Sequence, residues 1–123
     1  MRMATVEITK ENLTETVENN GVVLLDFWAE WCAPCRMFGP VFERVSEKYP
    51  DAVFGKVNTE QQRELAAGFD ISSIPTLMAL RDGVIVFAQP GALREKEFVE
   101  VVEAVLALDM EEVREAIAAQ NAR

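Results

Sequence analysis

A chain of 123 residues, half of them hydrophobic, fits one domain that buries a core without staples. Its formal net charge of −9 argues against a phosphate backbone as partner, so no nucleic acid is expected, and solubility is the simpler reading of that charge. No segment reaches the apolar length that spans a bilayer, so no membrane association is expected either.

The opening Met1-Arg2-Met3-Ala4-Thr5-Val6-Glu7 has no apolar h-region, so no signal peptide is expected and the cytoplasm is the default setting. Thr5 to Ile8 alternates as a short edge strand would. Thr9 is the expected N-cap of a first helix that puts Leu13 and Val17 on one face and stops at Asn20-Gly21. Val22 to Trp28 is almost continuously apolar, as a strand covered on both faces would be. A helix is expected over Met37–Lys48, with Val41, Phe42, Val45 and Tyr49 inward and a kink at Pro40, which has no N–H to donate.

Ala52 to Asn58 reads as the next strand, and a polar helix follows from about Gln61 to Ala67, ending at Gly68. Thr76–Leu80 and Val84–Ala88 are two strands joined by the hairpin signal Arg81-Asp82-Gly83. A helix then starts near Arg94, with Phe98, Val101, Val102, Val105 and Leu106 on its apolar face. Strands alternating with helices imply a layered α/β domain, and the closing hairpin makes its sheet mixed. After Leu108, Asp109 can cap one more helix, with Glu112 three residues on as in a capping box. Met110, Val113 and Ile117 form a narrow stripe on it that should pack on the domain or on a second copy.

Chemistry concentrates at Trp31-Cys32-Ala33-Pro34-Cys35. These are the only two cysteines, and there is no histidine. A structural zinc site needs four N or S ligands and an iron–sulfur cluster needs as many, so one chain cannot supply either. As a staple the pair is poor, because so short a loop gives roughly 2 kcal/mol against about 3 for fifteen residues. A C-x-x-C pair is instead suited to cycling between dithiol and disulfide. A helix starting near Ala33 would put Cys32 at its N-terminus, where unpaired N–H groups stabilise a thiolate. Cys35, one turn in, would be shielded and less acidic, and Pro34 is tolerated in a first turn. Asp26 is the anomaly of the central strand. Alternation puts it on one face with Val22, Leu24 and Trp28, where an unpaired carboxyl tends to stay protonated; a local cap or hydrogen bond is the alternative.

The segment Asp26-Phe27-Trp28-Ala29-Glu30-Trp31-Cys32-Ala33-Pro34-Cys35-Arg36 resembles the active-site segment of the thioredoxin family. Lys56-Val57-Asn58, Ile74-Pro75-Thr76 and Gly91-Ala92-Leu93 follow in that family's order, so the resemblance covers about residues 5 to 108. Ala33 stands where glycine is usual, Arg36 where lysine is usual, and Pro90 where a β-branched residue is typical. The first two touch redox poise, and the third the shape of the docking surface.

The resemblance implies an α/β thioredoxin fold, a mixed central sheet with helices on both faces, over residues 1–108. Residues 109–123 would be a C-terminal helical extension of the same domain. It makes Cys32 the attacking thiol, Cys35 the resolving one and Asp26 the proton acceptor, with Lys56 as near neighbour on the next strand. Pro34 would tune the disulfide, Ile74-Pro75 would be cis, and Trp31, Ala33, Pro34, Ile74, Pro75 and Gly91 would form a client-docking surface, with Trp28 mainly packing. The implied activity is protein-disulfide reduction with no bound cofactor. Electrons would come from an NADPH-dependent flavoprotein, thioredoxin reductase, and the other partners would be disulfide-containing client proteins, met by a monomer. Two alternatives stand beside it: a disulfide oxidase or isomerase, which an oxidising compartment would favour, and a redox-independent binding subunit on the same fold.

Overall fold

The computed structural model describes residues 4–122; part of the leader reading, on Met1–Met3, lies outside the described residues. In chain order the elements are β1 (Thr5–Glu7), α1 (Leu13–Asn19), β2 (Val22–Trp28), α2 (Ala33–Ser46) and β3 (Val53–Asn58). Then come α3 (Arg63–Gly68), β4 (Thr76–Arg81), β5 (Val84–Pro90), α4 (Glu95–Leu106) and α5 (Met110–Asn121). The strands form one mixed sheet in the order β1-β3-β2-β4-β5. β1 and β2 run parallel to β3, whereas β4 is antiparallel to both β2 and β5.

β2 lies at the centre, and six of its seven residues are buried. Val22 and Leu24 face a core shared with Phe54, Leu77, α2 (Phe38, Phe42, Val45) and α4 (Phe98, Val102, Val105). Val23, Leu25 and Phe27 face the opposite core with Ile8, Val57 and Met78, covered by α1 and by Leu65 of α3. The first core is aromatic at its centre, with Phe42 stacked on Phe98 at 5.5 Å and Phe54 edge-on to both. Gly55 is required where β3 passes under Ile8, because a Cβ there would collide with the Ile8 Cγ1 atom. The β4–β5 turn is the two-residue kind that the sequence signals. Asp82 and Gly83 both take positive φ, 51° and 80°, which matches the twist of the flanking strands.

Several boundaries differ from expectation. Thr9 does not cap α1; the N-cap is Asn12, whose Oδ1 accepts the Thr9 N–H at 2.8 Å. The chain has already turned by then, since the Thr9 carbonyl accepts from both Asn12 and Leu13, so the helix starts later. α3 is likewise shorter than the polar run that predicts it, because Asn58 turns the chain by accepting the N–H groups of Glu60 and Gln61. α2 begins at Ala33, four residues before the apolar periodicity does, and continues through Pro40 as one helix. Phe38, Phe42 and Val45 of this helix are buried, while Val41, and Tyr49 beyond its end, are only partly so. Phe87 packs at the margin of the first core and Phe69 at that of the second, and both stay half-buried.

α5 is capped as expected by Asp109, whose Oδ1 accepts from Glu111 and Glu112. Its stripe is buried only at the start: Met110 is 6% exposed, Val113 half-buried and Ile117 37% exposed. The β4–β5 hairpin fastens this corner. Arg81 Nη1 donates to the carbonyls of Val105, at 2.7 Å, and Leu108, and Arg114 pairs with Asp82 at 3.2 Å.

Candidate active site

The end of β2 delivers the chain into a tight loop that Arg36 fastens, its Nη1 donating to the Glu30 carbonyl at 2.9 Å. Cys32 is the N-cap of α2, and its Sγ accepts the Cys35 N–H at 3.2 Å. That bond satisfies one of the helix's unpaired donors with a sulfur, an arrangement that favours negative charge there. Pro34 lies in the first turn, where its missing N–H costs nothing. The two sulfurs are paired, with Cα atoms 5.2 Å apart.

Both cysteines are buried, Cys32 at 3% and Cys35 at 4% exposed, so exposure alone does not separate them. Surroundings do. Cys32 lines a surface groove of about 420 Å³ with Trp31, Pro34, Ile71, Ser73 and Ile74, and Cys35 is not among its walls. Across that groove, the Ile74 carbonyl stands 3.8 Å from Cys32 Sγ.

The Ile74–Pro75 bond is cis. Pro75 is buried and its carbonyl accepts the Gly91 N–H at 2.8 Å, which ties the two loops together. Gly91 has φ of 106°, a conformation that only glycine adopts without strain, and a Cβ there would meet open space. Pro90 ends β5 opposite Thr76 on the sheet edge, a position where a missing N–H is tolerated. Trp31 is 67% exposed, Ala33, Pro34 and Gly91 are also exposed, and Ile74 is half-buried. These residues therefore share one end of the sheet with Cys32.

Beneath them Asp26 is 1% exposed, and neither carboxyl oxygen has a hydrogen-bond partner. Burial pushes its carboxyl up to about 7 from an ordinary 3.8, and the positive charge of Lys56 pulls in the opposite direction without prevailing. Lys56 is its rung partner on β3, yet its ammonium lies over the Trp28 ring, 5.1 Å from the centroid.

Parts of this site were missed in the sequence. Ser72, Ser73, Ile71 and Thr59 line the groove, and only the Ser72-Ser73 turn just before Ile74-Pro75 could have signalled it. Trp28 reads as packing but also carries the Lys56 contact. Among the described residues, no group of three His, Cys, Asp or Glu is placed to hold a metal ion, and no helix is long and apolar enough to cross a membrane.

A protein-family model described as Thioredoxin matches residues 4–104. A protein of Streptomyces coelicolor provisionally named thioredoxin 2 is 59% identical over 120 residues, covering 98% of this chain and 90% of that one. A thioredoxin of Chlamydia pneumoniae is 41% identical over 91 residues, 74% of this chain and 87% of its own. In three dimensions the chain is similar to a mutant thioredoxin from Halobacterium salinarum, with a TM-score of 0.80 at 29% identity, over 89% of this chain and 97% of that one. The paired cysteines at the head of α2, the five-stranded mixed sheet beneath them and a family match spanning most of its length agree, and this chain belongs to the thioredoxin family.

Proposed function

We propose that this protein reduces disulfides of client proteins, with Cys32 as nucleophile, Cys35 as resolving thiol and Asp26 as proton acceptor. The observation that carries the reading is the placing of Cys32 Sγ at a helix N-cap on the wall of a groove. In the dithiol form the Cys32 thiolate attacks one sulfur of the client disulfide and expels the other as a thiolate. The Cys35 thiol passes its proton to the Asp26 carboxylate, and its thiolate attacks Cys32 Sγ. That second displacement releases the client's remaining sulfur and forms the Cys32–Cys35 disulfide. Two electrons have moved from the protein to the client, and the client's two thiolates take up one proton handed on from Asp26 and one from solvent, where the Cys32 proton had gone.

Clients dock, in this reading, across Trp31, Ala33, Pro34, Ile74, Pro75 and Gly91, an extended segment lying against the Ile74 backbone. Pro34 tunes the disulfide's stability from the first turn of α2, and Lys56 adjusts the proton affinity of Asp26. The dithiol is regenerated by an NADPH-dependent flavoprotein of the thioredoxin reductase kind. We assign a cytoplasmic setting, where thiols are kept reduced, and a monomeric working form. The test is reduction of insulin disulfides with NADPH and a purified thioredoxin reductase as the electron source. NADPH-coupled precipitation of insulin is expected, and no turnover with either the reductase or a small dithiol would refute the reading.

The same assay examines the chain after Leu108, which we read as an extension of residues 1–108 dispensable for catalysis. Removing residues 109–123 takes away one buried side chain, Met110, and an exposed ion pair, Arg114–Asp82. The expected result is unchanged insulin reduction with a stability loss of about 2–3 kcal/mol. A folded but inactive truncated protein would mean that the tail contributes to the site.

A further inference from the structure

β2 brings Asp26 and Trp28 to one face of the sheet, two positions apart, and β3 sets Lys56 beside Asp26 in the ladder. From there a lysine can reach either neighbour, the carboxyl opposite or the indole on the diagonal. It takes the diagonal. The ammonium stands over the Trp28 ring at 5.1 Å, within cation–π range. Its far side is bounded by α2 at Gly39, where a Cβ would lie 3.6 Å from Nζ. Meanwhile both Asp26 oxygens are buried without a hydrogen-bond partner. An ammonium and a buried carboxyl on facing rungs would ordinarily gain by pairing, because leaving a buried charge unpaired is expensive. The aromatic face is the competing attraction.

We propose that Trp28 is a positioning residue of the redox centre: its indole face holds the Lys56 ammonium off the Asp26 carboxyl and leaves that carboxyl without an ion partner. The functional meaning of this placement rests on the reading of Asp26 as proton acceptor. A carboxylate paired with an ammonium is a feeble base, whereas one left unpaired in an apolar site takes up a proton near neutral pH. Among the described residues, Lys56 is the charge that acts on Asp26, and it pulls against the effect of burial. The elements covering this face bring Leu77 from β4, Phe38 and Phe42 from α2 and Phe98 from α4, and Cys35 does not titrate in the disulfide form.

The test is the titration of the Asp26 carboxyl, followed by carbon NMR in the disulfide form of the full chain. Trp28→Leu removes the aromatic face, and the midpoint is expected to fall by about one pH unit or more as Lys56 swings to the carboxyl. Trp28→Phe keeps an aromatic face and should leave the midpoint close to the parent's. With Lys56→Met in place, Trp28→Leu should no longer lower it. A midpoint unmoved by Trp28→Leu overturns the proposal, and so does a fall of equal size with and without Lys56, which would mean only that water enters beside the smaller side chain. Should Trp28→Leu fail to fold, the parent itself decides: the ε-methylene protons of Lys56 must show the upfield shift of a ring held against them, and its absence overturns the placement. Asp26→Asn with unchanged turnover would instead defeat the proton-acceptor reading while these NMR results still decided where Lys56 sits.

Discussion

Cys32→Ser is expected to abolish disulfide reduction, while Cys35→Ser completes the first displacement and then stops with the client covalently attached. The two cysteines are equally buried, so the difference has to come from what surrounds each sulfur. Cys32 Sγ accepts a backbone N–H at the start of a 14-residue helix and borders the groove, with the Ile74 carbonyl 3.8 Å across it. A thiolate there gains from the helix N-terminus and can be approached, and a serine hydroxyl at the same place stays protonated at neutral pH. Loss of a nucleophile costs several orders of magnitude, so Cys32→Ser should fall at least about a thousandfold in insulin reduction. In Cys35→Ser the mixed disulfide can be released only by an outside thiol, because the intramolecular one is gone. Non-reducing electrophoresis followed by mass spectrometry reads the adduct directly. Adducts on the Cys32 variant instead would reverse the assignment of the two roles.

What could be read in the chain beforehand follows the range of the forces involved. The apolar run of Val22–Trp28, broken only by Asp26, is legible because a strand buried on both faces has no room for alternation, and it forms the central strand. Asp82-Gly83 is legible because a tight hairpin needs positive φ at both positions, and few residue pairs supply it. Asp109 is legible because a cap is a local hydrogen bond. The first helix cap was misplaced for a related reason: Thr9 and Asn12 are both good caps, and only the fold of the chain after β1 decides which carbonyl starts the helix. The groove beside Cys32 was legible only on the side of Trp31, Ala33, Pro34 and Ile74; Thr59, Ile71 and Ser73 meet there from separate connections. Likewise the resemblance sets Lys56 beside Asp26, but its turn toward Trp28 depends on a diagonal contact that no periodicity encodes. Local turns and buried periodicities are written in short segments, while the competition between two partners for one ammonium is not.

Asp26→Asn should make the protein more stable at alkaline pH and slower in turnover. The carboxyl is raised to about 7 in the folded protein, chiefly by burial, against 3.8 ordinarily. Between those values the unfolded chain has released its proton and the native protein still holds it. Native structure therefore binds more protons than the unfolded chain there, so stability falls as pH rises from about 4 to about 7 and levels off above. About three pH units at about 1.4 kcal/mol each put the loss near 4 kcal/mol at pH 8. An asparagine amide escapes that ionisation but remains buried without partners, which costs about 1–3 kcal/mol on its own. The variant should accordingly gain about 1–3 kcal/mol at pH 8 and lose about 1–3 kcal/mol at pH 4, as read from urea unfolding at the two pH values. Turnover moves the other way. With no carboxylate to take the Cys35 proton, water must serve, and general-base losses of this kind put the decrease at roughly a hundredfold or more at pH 7. Because the same carboxyl weakens the fold and speeds the second displacement, the two effects should appear together. A stability gain that did not vary with pH would mean that the native carboxyl does not hold its proton. A pH-dependent gain with unchanged turnover would leave Asp26 as a buried acid that the chemistry does not use.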